Sequence, residues 1–573
     1  SGLVGSEMCI RDSKCISRQH NCARVVNKLP KLKYLLVNES LLPEVYSKVI
    51  AAKAYLASGE APNATQAAKM AGISRSAYYK YKDGVFEYNP QNSGEMLTLS
   101  LKLKDNKGVL SAVLSFLYHL GANVLSINQS VPENGVAAVT LTVFTAEMTA
   151  DIEALSAGLS EINRRYIFMK IAIMGYGTVG SGVAEVIDTH EKSLAKSTGG
   201  ENMEVARILD LRDFPGDKHE AALTKDFNDI LNDKEIKVVA ETMGGVNPAF
   251  DFTMKLLKAG KSVVTSNKEL VAQKGLELLE AAKENGVNYL FEASVGGGIP
   301  IIRPLSQCFA ANNIMGIAGI LNGTTNFILT KMIEDDMSFE DALHMAQENG
   351  YAEKDPTADV EGHDACRKVC ILASLAFGKH VYPSQVETEG ISNITLEDVS
   401  YIHSANGVIK LLGQIEYISD DKIAAFVSPA VVYNGSQLAS VRDVFNAILV
   451  RGDAVGDVCF YGRGAGKLPT ASAVVADMAD CIKHMNRRKI FGWGPGDENY
   501  VVDYKSSISM PFYVRAKMAA QEVLNKFDDV KFLSRKGQPS DEVAFITDAM
   551  TENELREKLG DANVINIIKV TNY

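Results

Sequence analysis

The chain has 573 residues, too many for one hydrophobic core, which predicts three to five domains. Its 46% hydrophobic and 23% charged residues are an ordinary globular mix, and its formal net charge of −11 argues against a general affinity for nucleic acid or anionic membrane. No apolar run approaches the roughly 18 to 20 residues a membrane span needs, no export signal opens the chain, and eight cysteines without paired spacing fit reduced thiols in a cytoplasm.

Residues 1–30 show no periodicity, and "SGLVGSEMCIRDS" reads like translated cloning sequence, so this stretch is set aside as an unstructured or cloning-derived leader. A helical pattern covers 31–93. Within it "AAKMAGISRSAYYKYK" predicts a helix-turn-helix, with Gly72 in the turn and Ser74, Arg75, Tyr78 and Lys80 on the second helix. In an acidic chain a plain three-helix scaffold is the simpler reading, and binding to nucleic acid is not expected. Residues 95–167 then alternate strand, helix, strand, strand, helix.

At Met169 the texture changes again. "KIAIMGYGTVGSGV" runs a short apolar strand into Gly175-x-Gly177-x-x-Gly180 and on into a helical pattern. Gly175 permits the tight turn, Gly177 lets backbone approach a pyrophosphate, and Gly180 lets helix and strand pack closely, with the helix N-terminus facing the phosphate charge. Thr178 and Val179 lie inside this cradle. Ahead in "VARILDLRDF", Asp210 suits a ribose 2′-hydroxyl and Arg212 a 2′-phosphate, so NAD and NADP both stay open.

Strands and helices keep alternating through "KVVAETMGG", "KSVVTSNKELV" and "NYLFEASVGGGIPII", the pattern of a doubly wound parallel sheet. Thr242, Gly244 and Gly245 fall at one strand end, where they would line a nicotinamide, and Asn267 and Lys268 at another. Further on, "YAEKDPTADVEGHDACRKVC" crowds carboxylates and lysines just ahead of an apolar helix. Asp364 and Lys368 are four apart and share one helix face. An ammonium beside a carbonyl can stabilise a developing alkoxide and protonate it. Burial would lower the pKa of Lys368 toward the working range while Asp364 holds it charged and aimed. Alone, the pair would read as a surface ion pair. Cys366 and Cys370 share a face too, but two thiols without further ligands make a poor zinc site, and His363 is given no role.

Seven segments together, "GYGTVGSGV", "ETMGG", "TSNKELVA", "EASVGGGIPI", "GILNGTTNFIL", "DPTADVEGHDACRK" and "GRGAGKLPTASAVVAD", resemble the homoserine dehydrogenase family in order and spacing over about residues 169–490. The resemblance implies an α/β protein: a Rossmann-type dinucleotide domain at 169–300, then an inserted α+β catalytic and dimerisation domain at 301–490 whose helix near 462–485 returns to the dinucleotide domain. It implies NAD(P)-dependent interconversion of L-homoserine and L-aspartate 4-semialdehyde, a step of threonine and methionine biosynthesis. Lys368 would move the proton and Asp364 orient it. Glu353, Asp359, Lys268 and Gly323 would hold the substrate. Gly175, Gly177, Thr178, Val179, Gly180, Arg212, Thr242, Gly244, Lys268 and Gly464 would hold the cofactor. Glu292 with the carbonyls of Val295, Gly297 and Ile299 would bind a monovalent cation, Na+ or K+. A homo-oligomer, at least a dimer, is expected, built from the segment after residue 380 that carries "ASVRDVFNAILVRG".

The flanks resemble ACT domains, small βαββαβ units that often bind an amino acid. In 95–167, Asp105 and Gly108 match the ligand turn, so an amino-acid effector is expected there. Residues 508–573 look like a degenerate copy, with "RAKMAAQEV" where the glycine turn should be. Two other readings compete. An aldehyde dehydrogenase working by cysteine chemistry would need a nucleophilic thiol beside a base, and no cysteine is so placed. An amino-acid-sensing DNA-binding regulator would make the dehydrogenase part a passenger.

Overall fold

A computed structural model describes residues 42–85, 96–104, 108–132, 136–145, 148–198, 202–485 and 487–573. The leader at 1–30 and Asp105 lie outside them. The chain forms two compact units that meet in sequence between Ile167 and Phe168.

The first unit opens with helices Glu44–Ala57, Ala64–Met70 and Arg75–Tyr81. The side chains of Asn63 and Ser74 accept the N–H groups of Gln66 and Ala77, capping the second and third helices, and Gly72 takes the left-handed turn between them (φ 70°). Their small core is Val49, Ala52, Ala67, Ala68 and Tyr78. Tyr78 therefore packs inside rather than lying on a recognition surface. Arg75, Ser76, Tyr79 and Lys80 are the exposed side chains of that helix.

A three-stranded antiparallel sheet follows, ordered 96–104, 136–144, 123–129, with helices Val109–His119 and Ile152–Ile167. Leu99, Leu101 and Leu103 alternate into the core beside Val139, Leu141 and Val143, as one covered sheet face requires. Gly108 has φ 93° and begins the first helix. The fourth strand of the expected βαββαβ unit is missing among the described residues. The helix Ile152–Ile167 continues directly into strand Phe168–Met174, which pairs within the parallel sheet of the second unit instead.

That parallel sheet runs 223–224, 202–209, 168–174, 238–241, 262–265, 289–290. Its central strands carry buried apolar runs, Ile171–Met174, Val238–Ala240 and Val263–Val264, because helices cover both faces. Alternate residues of strand 168–174 enter different cores. Ile171 and Ile173 pack with Val183, Ala471, Val474 and Met478, while Ala172 and Met174 pack with Leu256, Leu257, Leu270 and Val271. The helix Lys467–Lys483 thus returns from far along the chain to lie on helix Thr178–Thr189. A Cβ on Gly182 would sit 3.0 Å from that of Ala471.

The second sheet is mixed and ten-stranded: 456–463, 445–452, 314–320, 407–419, 422–433, 563–570, 512–517, 543–547, 530–533, with 387–388 beside 422–433. Residues 512–570 do follow strand, helix, strand, strand, helix, strand. They are not a separate flanking module, however. Strand Asn563–Val570 pairs in parallel with Lys422–Tyr433, so the mixed sheet continues through them. Buried polar bonds seal the join. Arg515 donates to Thr395 Oγ1 at 2.9 Å and Asp398 Oδ1 at 3.0 Å, and Tyr513 and Asn566 donate to Asp398 as well. One-sided loss of such a pair would strand a charge out of water.

Candidate active site

The glycine-rich turn is built as a phosphate cradle. Gly175 has φ 90° and donates its N–H to Leu209 O at 2.8 Å. A Cβ on Gly180 would lie 1.9 Å from Gly175 O, so only glycine lets this helix approach the turn. Beside Gly177 the space is open: a Cβ there would find Arg212 Nη2 as its nearest neighbour, at 3.8 Å. Thr178 and Val179 open the helix that follows. Thr242 does not present a free hydroxyl, since it donates to Gly175 O (2.8 Å) and Met174 O (3.1 Å) and fixes the turn. Gly244 and Gly245, with φ 84° and 69°, lead away from that strand end. Asn267 donates to Gly245 O at 2.6 Å and caps helix Lys268–Glu284 through Leu270 N–H.

Asp210 and Arg212 form one unit rather than two alternatives. Arg212 donates from Nε to Oδ1 (3.0 Å) and from Nη2 to Oδ2 (2.8 Å), and the backbone of Tyr176 also donates to Oδ2. These bonds, led by that of Arg212, hold the Asp210 carboxyl well below the usual carboxylate range. Its side chain is 8% exposed against 62% for Arg212, so the guanidinium is the group presented to solvent.

The reactive cluster gathers on helix His363–Phe377. Gly362 starts it with φ 81°, and a Cβ there would meet Thr388 Cγ2 at 2.9 Å. Asp364 lies in the first turn, where the helix dipole favours a negative charge, and Lys368 lies one turn on. Lys368 Nζ donates to Asp364 Oδ2 at 2.7 Å and to Leu321 O at 2.6 Å. The other carboxylate oxygen lies 2.5 Å from Lys268 Nζ, from the start of a helix in the dinucleotide domain. One carboxylate thus bridges two ammonium groups. Burial works against the Asp364 charge, but the two lysines outweigh it and keep the group ionised. Burial dominates at Lys368 and pulls its ammonium below the usual lysine value. At Lys268 burial also opposes charge, yet Asp364 prevails and holds that ammonium above its usual value.

Sequence reasoning missed Asn322. It caps helix Gly323–Glu334, and its amide donates to both Asp359 Oδ1 (2.7 Å) and Asp364 Oδ2 (2.9 Å). The signal was present in "LNGTTN", as a polar cap at a strand end. Gly323 beside it is demanded by packing, because a Cβ would sit 2.8 Å from Val444 O. Asp359 joins the cluster half-buried, and burial raises its pKa against the pull of Asn322 and the lysines. Glu353 stands apart. It is exposed, and its carboxylate makes no hydrogen bond or ion pair within the cluster. His363 is exposed. Cys366, whose thiol is drawn down to about 7 by its bond with Cys370 against the effect of burial, sits in the helix packing with its Sγ 3.8 Å from Pro383 O.

The loop after strand 289–290 carries the residues of the expected cation site. The Glu292 carboxylate accepts the N–H groups of Ile301 and Ile302 on Oε1 (2.7 and 2.8 Å) and of Arg303 on Oε2 (3.0 Å), so it caps the following helical turns. The neighbouring Asp477 accepts from Glu292 N–H at 2.8 Å and pairs with Arg303. Gly297 packs on Gly464, where a Cβ would come within 2.4 Å of the carbonyl oxygen, and Gly464 packs in turn on Asn446. The carbonyls of Val295, Gly297 and Ile299 accept no hydrogen bond from the described residues.

With this geometry in view, comparison with known proteins is direct. Residues 175–292 match the family description "Homoserine dehydrogenase, NAD binding domain", and residues 300–479 match "Homoserine dehydrogenase". A homoserine dehydrogenase of Bacillus subtilis is 42% identical over 326 residues, covering 55% of this chain and 73% of the relative. The chain belongs to the homoserine dehydrogenase family. One from Pseudomonas aeruginosa is 43% identical over 318 residues, with the same coverage. Among solved structures, a homoserine dehydrogenase from Thiobacillus denitrificans aligns with a TM-score of 0.64 at 34% identity, over 70% of this chain and 98% of that one. That of S. aureus gives 0.59 at 33%, over 71% and 99%. As a homoserine dehydrogenase the protein is an NAD(P)-dependent oxidoreductase with a small-molecule substrate. No described helix is long and apolar enough to cross a membrane.

Proposed function

We propose that Lys368 is the proton-transfer group of this homoserine dehydrogenase, that Asp364 orients it, and that Lys268 supplies a fixed positive charge beside the reacting oxygen. The observation that carries the proposal is the single buried carboxylate of Asp364 touching both ammonium groups. Two N–H donors of Lys368 are committed to Asp364 and Leu321, which leaves one for the substrate oxygen. In oxidation, neutral Lys368 takes the hydroxyl proton of homoserine as the alcohol carbon becomes an aldehyde. In reduction, the ammonium returns that proton to the developing alkoxide. A dinucleotide held at the glycine turn of Gly175, Gly177 and Gly180 would supply the hydride acceptor or donor. Asp359, with Glu353 from its exposed loop, offers negative charge to the substrate's ammonium, and Gly323 keeps backbone close at the same place.

The cradle fits a dinucleotide because the space beside Gly177 is open to it, with Arg212 Nη2 at 3.8 Å the nearest atom a Cβ there would meet. Gly175, Gly177, Thr178, Val179 and Gly180 would hold the pyrophosphate, with Thr242, Gly244 and Gly464 nearby. Since the Asp210 oxygens are already engaged by Arg212 and Tyr176 while the guanidinium is exposed, we read the site as preferring NADP to NAD. A monovalent cation would be held by the carbonyls of Val295, Gly297 and Ile299, with Glu292 shaping the loop from behind. Residues 169–300 would serve the cofactor, 301–490 the substrate and the subunit contact of a homo-oligomer, 95–167 an amino-acid effector, and the cytoplasm would be the location. The test is a spectrophotometric assay of homoserine oxidation with NAD and NADP in parallel, on the full chain. Activity with a lower KM for NADP supports the reading. No turnover with either cofactor refutes it.

A further inference from the structure

We infer that Asn322 is a positioning residue of the site, which holds Asp359 and Asp364 as a fixed pair of carboxylates for the proton and the substrate. The inference rests on the reading of the site just given. Asn322 is 6% exposed. Its side-chain oxygen accepts from Thr325 N–H at 2.9 Å and from Thr325 Oγ1 at 3.2 Å, so the helix fixes one end of the amide. The NH2 end must then face away from the helix. There it meets two acceptors, Asp359 Oδ1 at 2.7 Å and Asp364 Oδ2 at 2.9 Å, from two different helices. The second of these oxygens is the one that receives Lys368. The preceding residue, Leu321, gives Lys368 its carbonyl. Two adjacent residues at one strand end therefore touch every member of the proton-handling group on the catalytic helix.

The chemistry of the amide suits this place. Two carboxylates that approach each other repel, and a neutral donor of two N–H groups can join them without adding charge. Each bond favours the ionised acid. For Asp364 the lysines already do so. Asp359 depends on Asn322 more, since burial and the Asp364 charge both disfavour its ionisation, while only Asn322, Lys368 and Lys268 oppose them. Arg367, whose guanidinium pairs with Glu269 at 3.5 Å, is the further charge near Lys268.

A cap-only role for Asn322 makes a different forecast, and this separates the two. Serine and aspartate both cap helices about as well as asparagine. Asn322→Ser and Asn322→Asp would then behave as wild type. If the amide positions the carboxylates, Asn322→Ser keeps its thermal midpoint within a few degrees but loses about tenfold or more in kcat/KM for homoserine near neutral pH. In reduction of the aldehyde, where protonated Lys368 sets only the alkaline limb, the acid limb shifts to higher pH, and activity recovers to within a few-fold of wild type well above it, where Asp359 ionises unaided. Asn322→Asp, which sets a third carboxylate against two, loses more and recovers less. A second readout needs no turnover. Homoserine alone should raise the thermal midpoint of Asn322→Ser less than that of wild type on the acid side of that limb, and equally on its alkaline side. In an Asp359→Asn background the pH-dependent part of the Asn322→Ser effect should vanish. A wild-type pH profile in Asn322→Ser, or a loss uniform in pH, overturns the inference while leaving the dehydrogenase reading intact. A wild type inert toward homoserine at every pH overturns both.

Discussion

Replacing Asp364 by asparagine keeps the side-chain volume and removes the charge that two lysines share. Lys268 Nζ lies 2.5 Å from one of its oxygens and Lys368 Nζ 2.7 Å from the other. Two unit charges about 4 Å apart are worth about 4 kcal/mol at an effective dielectric of ~20. One pH unit corresponds to about 1.4 kcal/mol, so losing this interaction should move the titration of Lys368 down by about two to three pH units. The unscreened repulsion from Lys268 acts in the same direction. Oxidation needs the amine form and fails as pH falls through that pKa. Reduction needs the ammonium and fails as pH rises through it. The acid limb of homoserine oxidation and the alkaline limb of aldehyde reduction should therefore move together to lower pH in Asp364→Asn. Initial rates in both directions across pH 5 to 10.5, with far-UV circular dichroism as a folding control, test this. Limbs within half a unit of wild type, beneath a uniform fall in rate, would refute the electrostatic role and leave Asp364 only a packing function.

Lys368→Ala should lower kcat by about 10²- to 10⁴-fold, the usual reach of general acid–base catalysis, and a near wild-type kcat in steady-state assay would end its assignment. Glu353→Ala, on an exposed loop outside the ion cluster, should raise the homoserine KM several-fold and spare kcat; the reverse pattern would move Glu353 into the chemical step. Lys410 is buried with only neutral partners, Asn326 Oδ1 at 3.0 Å and Val441 O at 2.6 Å, and burial draws its pKa down to about 8. Between pH 8 and 10.5 the unfolded chain binds a proton that the folded chain does not, so stability should rise with pH across that window by about 3 kcal/mol. Urea midpoints at pH 7.5, 9 and 10.5 should show this rise in wild type and not in Lys410→Met; parallel slopes would count against it. A chain cut to residues 168–573, the second compact unit, should keep its turnover but lose any inhibition by an amino acid that the full chain shows, and inhibition that persists would place the effector outside residues 95–167.

What could be read from sequence was what depends on local geometry. Gly175, Gly177 and Gly180 were legible because a tight turn and a close helix approach demand glycine at fixed offsets, and in the structure a Cβ at Gly180 would collide with Gly175 O. Asp364 and Lys368 were legible because residues four apart share a helix face. Contacts between distant segments were not. Nothing in "TSNKELVA" says that Lys268 reaches the carboxylate of Asp364, and nothing in "LNGTTN" says that the capping amide also bridges two acids. Glu292 is a third case: nothing in "EASVGGGIPI" says that its carboxylate accepts three backbone N–H groups from the turns that follow. Sheet edges were equally opaque. The resemblance of 95–167 to a βαββαβ unit implied a fourth strand, and the strand that follows its last helix is the one the sequence already assigned to the dinucleotide sheet. The C-terminal strands looked independent, and pairing of Val431 with Val570 extends the catalytic sheet into them.

The two lysines on Asp364 differ in burial, and this difference divides their labour. The Lys368 side chain is 9% exposed and that of Lys268 40% exposed, although both touch the same carboxylate. Both meet the same carboxylate, while the desolvation cost is larger for the more deeply buried Lys368. The balance tips opposite ways: Lys268 keeps its proton more firmly than a free lysine, and Lys368 gives it up more readily. A permanent charge and a titrating group are what reversible alcohol oxidation asks of a site, one to steady the oxygen and the other to exchange its proton. Because Lys268 begins a helix of the dinucleotide domain and Lys368 lies on the catalytic helix, the carboxylate between them also sets the register of the two domains. Asp364→Asn should then raise the KM of cofactor and of homoserine together in steady-state assay, and a rise in only one of them would count against this.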